Sequence, residues 1–336
     1  MTTYIKADRF FYPYQTKKGG YLALNHGFFG EWQEETPCEG EIIDYTGYSL
    51  APGLVDTHVH GFAGADVMDN KAESLETMSK ELLSAGVTSF FFFFLTASFE
   101  VLDAICQTTS DFVGQESGAR IQGIFFEGPY FTEKYKGAQN PSYMRNPSRT
   151  ELDKWLKSSK GLLNKIAVAP EREGAEDFIR YANQQGVVVA LGHSDATYVQ
   201  AVSAVEAGAS VWVHAYNGMR GLNHREPGMV GAVYEIPNTY AELICDGHHV
   251  HPSACDILLK QKNPDHVVLI TDCMSAGGCD DGDYVLGEYP VIVEKGTARL
   301  KENGQSKKGH KADFIILDND MKLIATYLGG EKVFQI

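Results

Sequence analysis

Positive charge is what this sequence has least of. Lysine and arginine number 29 against 44 aspartates and glutamates in 336 residues, a net charge of −15 and a pI near 5.2. The average field of such a chain repels nucleic acid and anionic lipid, so neither is expected as a partner. An anionic substrate would need a local cationic site. Long apolar runs are missing too. The longest, Phe90 to Leu95, is far short of the ~20 residues that span a bilayer, and the N-terminal stretch lacks the apolar block and small-residue cleavage site of a signal peptide. No membrane association and a cytoplasmic location are therefore expected. The six cysteines (Cys38, Cys106, Cys245, Cys255, Cys273, Cys279) contain no CxxC pair, which speaks for reduced thiols and against a zinc ribbon or a disulfide scaffold. No internal repeat is found. With 43% apolar and 22% charged residues, disorder is excluded as the dominant state.

What is present is a βα rhythm. Short apolar runs at 50–55, 87–95, 121–126, 166–169, 187–191, 210–213, 241–244 and 267–270 alternate with amphipathic stretches of helical length. Several of these end at a glycine suited to a C-cap: Gly86, Gly186, Gly208. Eight such steps predict an α/β fold, a (β/α)8 TIM-type barrel over residues 51–283. Residues 1–50 and 284–336 read instead as short strands, expected to meet in one small β-sandwich domain formed by both chain termini. The stretch GQSKKG at 304–309 is the most linker-like segment.

In a (β/α)8 barrel the working residues project from the C-terminal strand ends. The first run is followed by His58 and His60, which alternation puts on one face of an extended segment, as joint metal ligation requires. The third ends in Glu127, the fifth in His193 and the sixth in His214; Ser194 or Asp195 is placed to cap the next helix. Taken singly, each has an ordinary explanation as a core histidine, a helix cap or an ion-pair partner. One glutamate and two histidines on three nearby strand ends form a sensible ligand set for a divalent transition metal. The eighth run ends in Asp272, where a general base belongs, with an N-cap or a further ligand as the alternative. After the seventh come His248, His249 and His251, of which at most one or two can face a pocket. The loop 216–228 is glycine-rich and carries Arg220 and Arg225. It offers amides and guanidinium groups to a phosphate, although a solvated loop is the default reading.

Together these motifs resemble the amidohydrolase superfamily and, within it, the N-acetylglucosamine-6-phosphate deacetylase family. The matching stretches are APGLVDTHVHG, EGPYFTEKYKGAQNP, LGHSDATY, VHAYNGM with NHREPG, DGHHVHP and LITDCMSAGG. The resemblance implies metal-dependent hydrolysis of N-acetyl-D-glucosamine 6-phosphate to D-glucosamine 6-phosphate and acetate in amino-sugar catabolism, by a homodimer. It implies Glu127, His193 and His214 as ligands of the principal divalent metal, and Asp272 as the group that takes a proton from water and returns it to the leaving amine. His58 and His60 imply room for a second ion, so one or two ions per subunit, zinc or iron. His249 is implied in substrate binding. Asn217 and Gly218, with His224 and Arg225, match the segment that grips the sugar phosphate, and in relatives the arginine can come from the neighbouring subunit. Gln139 stands where some members have a histidine beside the substrate and others a glutamine.

The likeness has one large departure. Family members carry further helices between the stretches matching RLKENG and KADFIILD, where only QSKKGHKAD intervenes here; their loss would expose the flank of the eighth strand. Two rival readings stand beside the main one. Another amidohydrolase acting on a related acylated amino sugar would share the fold, but the fourth run ends in Ala169-Pro170-Glu171 rather than the bridging lysine of many binuclear relatives, which counts against cyclic amidases. A non-catalytic sugar-phosphate sensor would have no need of Asp272.

Overall fold

Eight parallel strands build the central wall: β1 (Glu41–Val59), β2 (Val87–Phe94), β3 (Arg120–Tyr130), β4 (Leu163–Val168), β5 (Val188–Leu191), β6 (Val211–Trp212), β7 (Tyr240–Ile244) and β8 (Val267–Ile270). The computed structural model describes residues 2–294, 297–300, 313–328 and 331–335. Neighbours pair in chain order, and the wall closes between β8 and β1 through a parallel bridge of Val59 with Cys273. All eight predicted runs are barrel strands. Between them lie α1 (Ala72–Glu81), α2 (Phe99–Phe112), α3 (Arg149–Ser158), α4 (Ala175–Gln184), α5 (Tyr198–Glu206), α6 (Gly228–Glu235) and α7 (Pro252–Lys262). Gly86, Gly186 and Gly208 end the preceding helical turns with φ of 78°, 81° and 118°, which a residue with a Cβ rarely adopts. α5 is capped by Thr197, in a reciprocal box with Gln200, and not by Ser194 or Asp195 as the sequence predicts; the chain needs three further residues to leave the barrel mouth. Among the described residues no helix is long and apolar enough to cross a membrane.

The phenylalanine run shows how the core divides. Successive strand residues face opposite sides, so Phe90, Phe92 and Phe94 of β2 pack outward against the helices. Phe93 turns inward to a separate cluster with Phe125, Ala167, Ala190 and Val213. This inner cluster is the floor on which the polar strand ends stand.

β1 belongs to two sheets at once. Its first half pairs in parallel with the N-terminal strand Thr3–Tyr12 and antiparallel with Asp313–Leu317, and its second half pairs with β2. Around the first half the terminal strands enclose a small core of Ile5, Phe10, Leu22, Leu24, Tyr45, Leu50, Ile316 and Ala325. The stretch 284–300 departs from the expectation that it joins this terminal layer. Among the described residues Gly282–Leu286, Tyr289–Glu294 and Thr297–Leu300 pair only with one another, and Leu286, Val291, Val293 and Ala298 pack on Leu95, Met274 and Ala276. The chain emerges from β8 at the barrel mouth, and the apolar face of this short sheet is buried against that rim. The linker-like stretch 304–309, and the join where family helices are expected, lie outside the described residues.

Among the described residues no helix follows β8, and the outer side of the closing seam is open. Leu269 is 61% exposed, Leu54 45% and Val55 48%, whereas Leu243 of β7 is fully buried. Leu243→Ala is therefore expected to cost about 2–5 kcal/mol in urea unfolding, while Leu269→Ser shifts stability by no more than about 0.5 kcal/mol; a comparable loss at Leu269 would mean that its side chain is covered.

Candidate active site

Three strand ends are bent inward by the backbone itself. His193, His214 and Asp272 follow β5, β6 and β8 with φ of 45°, 31° and 54°, a left-handed conformation that costs a non-glycine residue about 1–3 kcal/mol. The bend ends each strand and turns the side chain toward the barrel axis, where all three are buried with Glu127, His58 and His60. Gly218 makes room for them. A Cβ there would sit 3.1 Å from His193 Nδ1 and 3.4 Å from His214 Cε1, and φ is +60°. The seam is part of the same construction, because Asp272 N donates to the His58 carbonyl at 2.9 Å and His60 N to the Cys273 carbonyl at 2.8 Å.

The hydrogen-bond partners fix the chemistry of the rings. His193 Nδ1 lies 2.7 Å from the Tyr135 carbonyl and His214 Nδ1 2.9 Å from the Asn217 carbonyl. A carbonyl only accepts, so both Nδ1 atoms carry hydrogen, and in the neutral rings both Nε2 atoms present lone pairs. Those lone pairs sit 3.1 Å apart and 2.7 and 2.9 Å from one carboxylate oxygen of Glu127. Three acceptors converging at that spacing are satisfied by a cation between them. The residues present therefore fit a divalent metal. His58 and His60 Nε2 stand 3.0 and 3.2 Å from Asp272 Oδ1 and 4.0 and 3.7 Å from Glu127, so one continuous donor cluster spans all six residues.

Below this cluster lies an ion pair that the sequence reading missed. Lys165 of β4 and Glu242 of β7 meet inside the barrel, and the second Glu242 oxygen accepts from His58 Nδ1 at 2.9 Å. Burial pushes the Lys165 amine down against the opposing pull of Glu242, and its Nζ lies 3.8 Å from the Phe125 ring centroid. The His58 ring stacks on Phe93 at 3.6 Å. In the sequence both residues look like polar interruptions of strand runs, and only their shared inward phase on β4 and β7 gives a hint.

The cluster opens into a cavity of about 620 Å³ lined by Glu127, His193, His214 and Asp272, with Gln139, Asn217, Gly218, His248 and His249 around them. Gln139 is locked between the Thr96 amide and the Glu127 carboxylate. Burial opposes charge on Asp246, but the amides of His248 and His249 and the His249 ring hold its carboxyl below the ordinary range, and this fixes the His249 ring at 2.8 Å. Two lysines, Lys134 and Lys136, also line the cavity; the motif EKYKG contains both, and the sequence reading gave them no role. His224 and Arg225 are exposed on the turn closed by Asn223 and Glu226 and are not among the cavity-lining residues of this chain.

Residues 49–289 match the amidohydrolase family, whose members are generally dependent on a divalent metal. An N-acetylglucosamine-6-phosphate deacetylase of Vibrio furnissii is 46% identical over 256 residues, 76% of this chain and 64% of its own length. An N-acetylgalactosamine-6-phosphate deacetylase of Escherichia coli O157:H7 is 42% identical over 272 residues, 80% of this chain and 71% of its own. The solved N-acetyl-D-glucosamine-6-phosphate deacetylase of Mycobacterium smegmatis, a mutant in complex with N-acetyl-D-glucosamine-6-phosphate, superimposes with a TM-score of 0.92 at 27% identity, covering 99% of this chain and all of that one. This chain thus spans somewhat less than two thirds of the Vibrio protein.

Glu242→Ala would leave Lys165 buried without its partner and is expected to destabilise the fold by about 3–5 kcal/mol. The double change Lys165→Met with Glu242→Leu should cost clearly less in the same denaturant titration. Equal losses would mean that the two residues do not act as a pair.

Proposed function

Because this chain belongs to the amidohydrolase family, we propose that it hydrolyses N-acetyl-D-glucosamine 6-phosphate to D-glucosamine 6-phosphate and acetate in amino-sugar catabolism. The observation that carries the proposal is the convergence of Glu127, His193 and His214 acceptors beside the buried carboxylate of Asp272. When bound, a divalent ion would supply Lewis acidity to the amide carbonyl and lower the pKa of a nearby water. Glu127, His193 and His214 hold the principal ion; His58 and His60 offer a second position, so that one or two ions, zinc or iron, bind per subunit.

Asp272 removes a proton from the attacking water and delivers it to the departing amine. The Asp272 amide donates to the His58 carbonyl at 2.9 Å, which holds that carboxylate beside the Nε2 atoms of His58 and His60, 3.0 and 3.2 Å from its Oδ1. Gln139 orients Glu127 and stands over the amide. Asn217, Gly218 and His249 bind the sugar phosphate with Lys134 and Lys136, so that binding energy far from the scissile bond positions the amide. His224 and Arg225, exposed in this chain, complete the phosphate site of a neighbouring subunit in a homodimer. The 42% identity to the Escherichia coli relative supports a second reading, in which the N-acetylgalactosamine 6-phosphate epimer is the substrate.

Acetate release is to be compared for both phosphorylated epimers and for unphosphorylated N-acetylglucosamine. Turnover is expected to require the phosphate, and Asp272→Asn is expected to lower kcat by about 10²–10⁴-fold with metal content retained. Near-normal turnover by that variant would overturn the mechanism, and preference for the galactose epimer would favour the second reading.

A further inference from the structure

Most of the donor cluster depends on one ring. Among the described residues three groups could gather an ion: Glu127, His193 and His214; His58, His60 and Glu127; and His58, His214 and Asp272. His58 belongs to the last two. Its Nε2 faces Asp272 Oδ1 at 3.0 Å and Glu127 at 4.0 Å, and it ligates there only if that nitrogen carries a lone pair. The other ring nitrogen settles the matter.

His58 Nδ1 donates to one oxygen of Glu242 at 2.9 Å, and Lys165 donates to the other. All three side chains are buried. The His58 ring is held flat against Phe93, with centroids 3.6 Å apart, and crosses Phe125 at 80°, so Nδ1 stays on the Glu242 side. An ammonium only donates and a carboxylate only accepts. The series Lys165, Glu242, His58 therefore has one polarity, which puts the hydrogen of the neutral ring on Nδ1 and leaves the Nε2 lone pair facing the axis. Backbone carbonyls do the same for His193 and His214. For His58 the acceptor is a side chain, and a side chain can be exchanged.

We propose that Glu242, oriented by Lys165, is a positioning residue that selects the His58 tautomer and thereby decides whether the site takes a second ion. This deepens the proposed function and rests on its placement of two ion positions. In Glu242→Gln, Lys165 claims the amide oxygen and the amide nitrogen is left to donate to Nδ1. The ring hydrogen then moves to Nε2, where the Asp272 carboxylate accepts it; an amide in place of a carboxylate behind a histidine sets the wrong tautomer in this way. The second position loses its His58 ligand, while Glu127, His193 and His214 keep their arrangement. Removing the lysine as well, in Lys165→Met with Glu242→Gln, lets the amide turn its oxygen to Nδ1 and returns the lone pair to Nε2.

The test is calorimetric titration of the metal-free full chain with zinc, which separates a first from a second binding step, with circular dichroism to verify folding. The unaltered protein is expected to take two zinc ions per chain. Glu242→Gln is expected to weaken the second step about 10–100-fold and to leave the first unchanged, and Lys165→Met with Glu242→Gln to recover most of that loss. A general loosening of the fold would weaken both steps and would not be rescued by a further substitution. An unchanged second step in Glu242→Gln, an equal loss at both steps, or no recovery in the double variant would overturn the proposal. Should Glu242→Gln not fold, Lys165→Met with Glu242→Leu takes its place, since it offers Nδ1 no acceptor; second-step affinity equal to that of Lys165→Met with Glu242→Gln would overturn the proposal, and an affinity at least tenfold weaker would support it. A single zinc in the unaltered protein would overturn it and leave the principal site and the deacetylase reading intact, whereas no zinc in the folded protein would overturn both.

Discussion

Two backbone carbonyls govern this site. By accepting from Nδ1 of His193 and of His214, the Tyr135 and Asn217 carbonyls dictate that both rings offer lone pairs, not hydrogens, to the barrel axis. Glu127 adds a carboxylate oxygen within 3 Å of each ring. Such a group of acceptors is electrostatically unfavourable by itself and becomes favourable around a cation. The loops after β3 and β6 are therefore more than connections, since the carbonyls they supply decide the character of the ligands.

The barrel is closed by the same residues to which the proposed chemistry is assigned. β8 meets β1 through Asp272 N on the His58 carbonyl and His60 N on the Cys273 carbonyl, which holds the candidate base against the candidate ligands. This closure stands on a floor of Phe93 and Phe125 and on the Lys165–Glu242 pair, whose buried charges also fix the His58 ring. The left-handed backbone at His193, His214 and Asp272 has an energetic cost that the packing around it offsets. Local strain and buried polarity are thus concentrated at one end of the barrel, while the opposite feature, an outer seam at Leu54, Val55 and Leu269 that none of the described residues covers, lies on the far side of the wall.

Much of this was legible in the sequence because barrel chemistry is tied to strand ends. Once eight apolar runs are found, the residues that follow them name His58, His60, Glu127, His193, His214 and Asp272, and all six converge. Other features depend on tertiary context. Lys165 and Glu242 sit within strands, where a charged residue reads as a solvent-facing position, and nothing local reveals that each is the other's partner. The sheet at 282–300 has the alternation of a terminal strand, and only the path of the chain out of β8 puts its apolar face on the barrel mouth. Helix capping at Thr197 instead of Ser194 or Asp195 follows from where the loop turns, a boundary that residue type alone does not fix. His224 and Arg225 match by motif the segment that grips the sugar phosphate; in this chain they are exposed and are not among the residues lining its own cavity.

The central claim is that the Glu127, His193 and His214 acceptors hold a divalent cation. It is tested most directly by elemental analysis of the purified protein beside Glu127→Gln, with circular dichroism to verify that both are folded. At least one first-row divalent ion per chain in the unaltered protein, lost or sharply depleted in the folded variant, is the predicted result. A folded unaltered protein that hydrolyses its substrate at full rate with no bound ion would contradict the account.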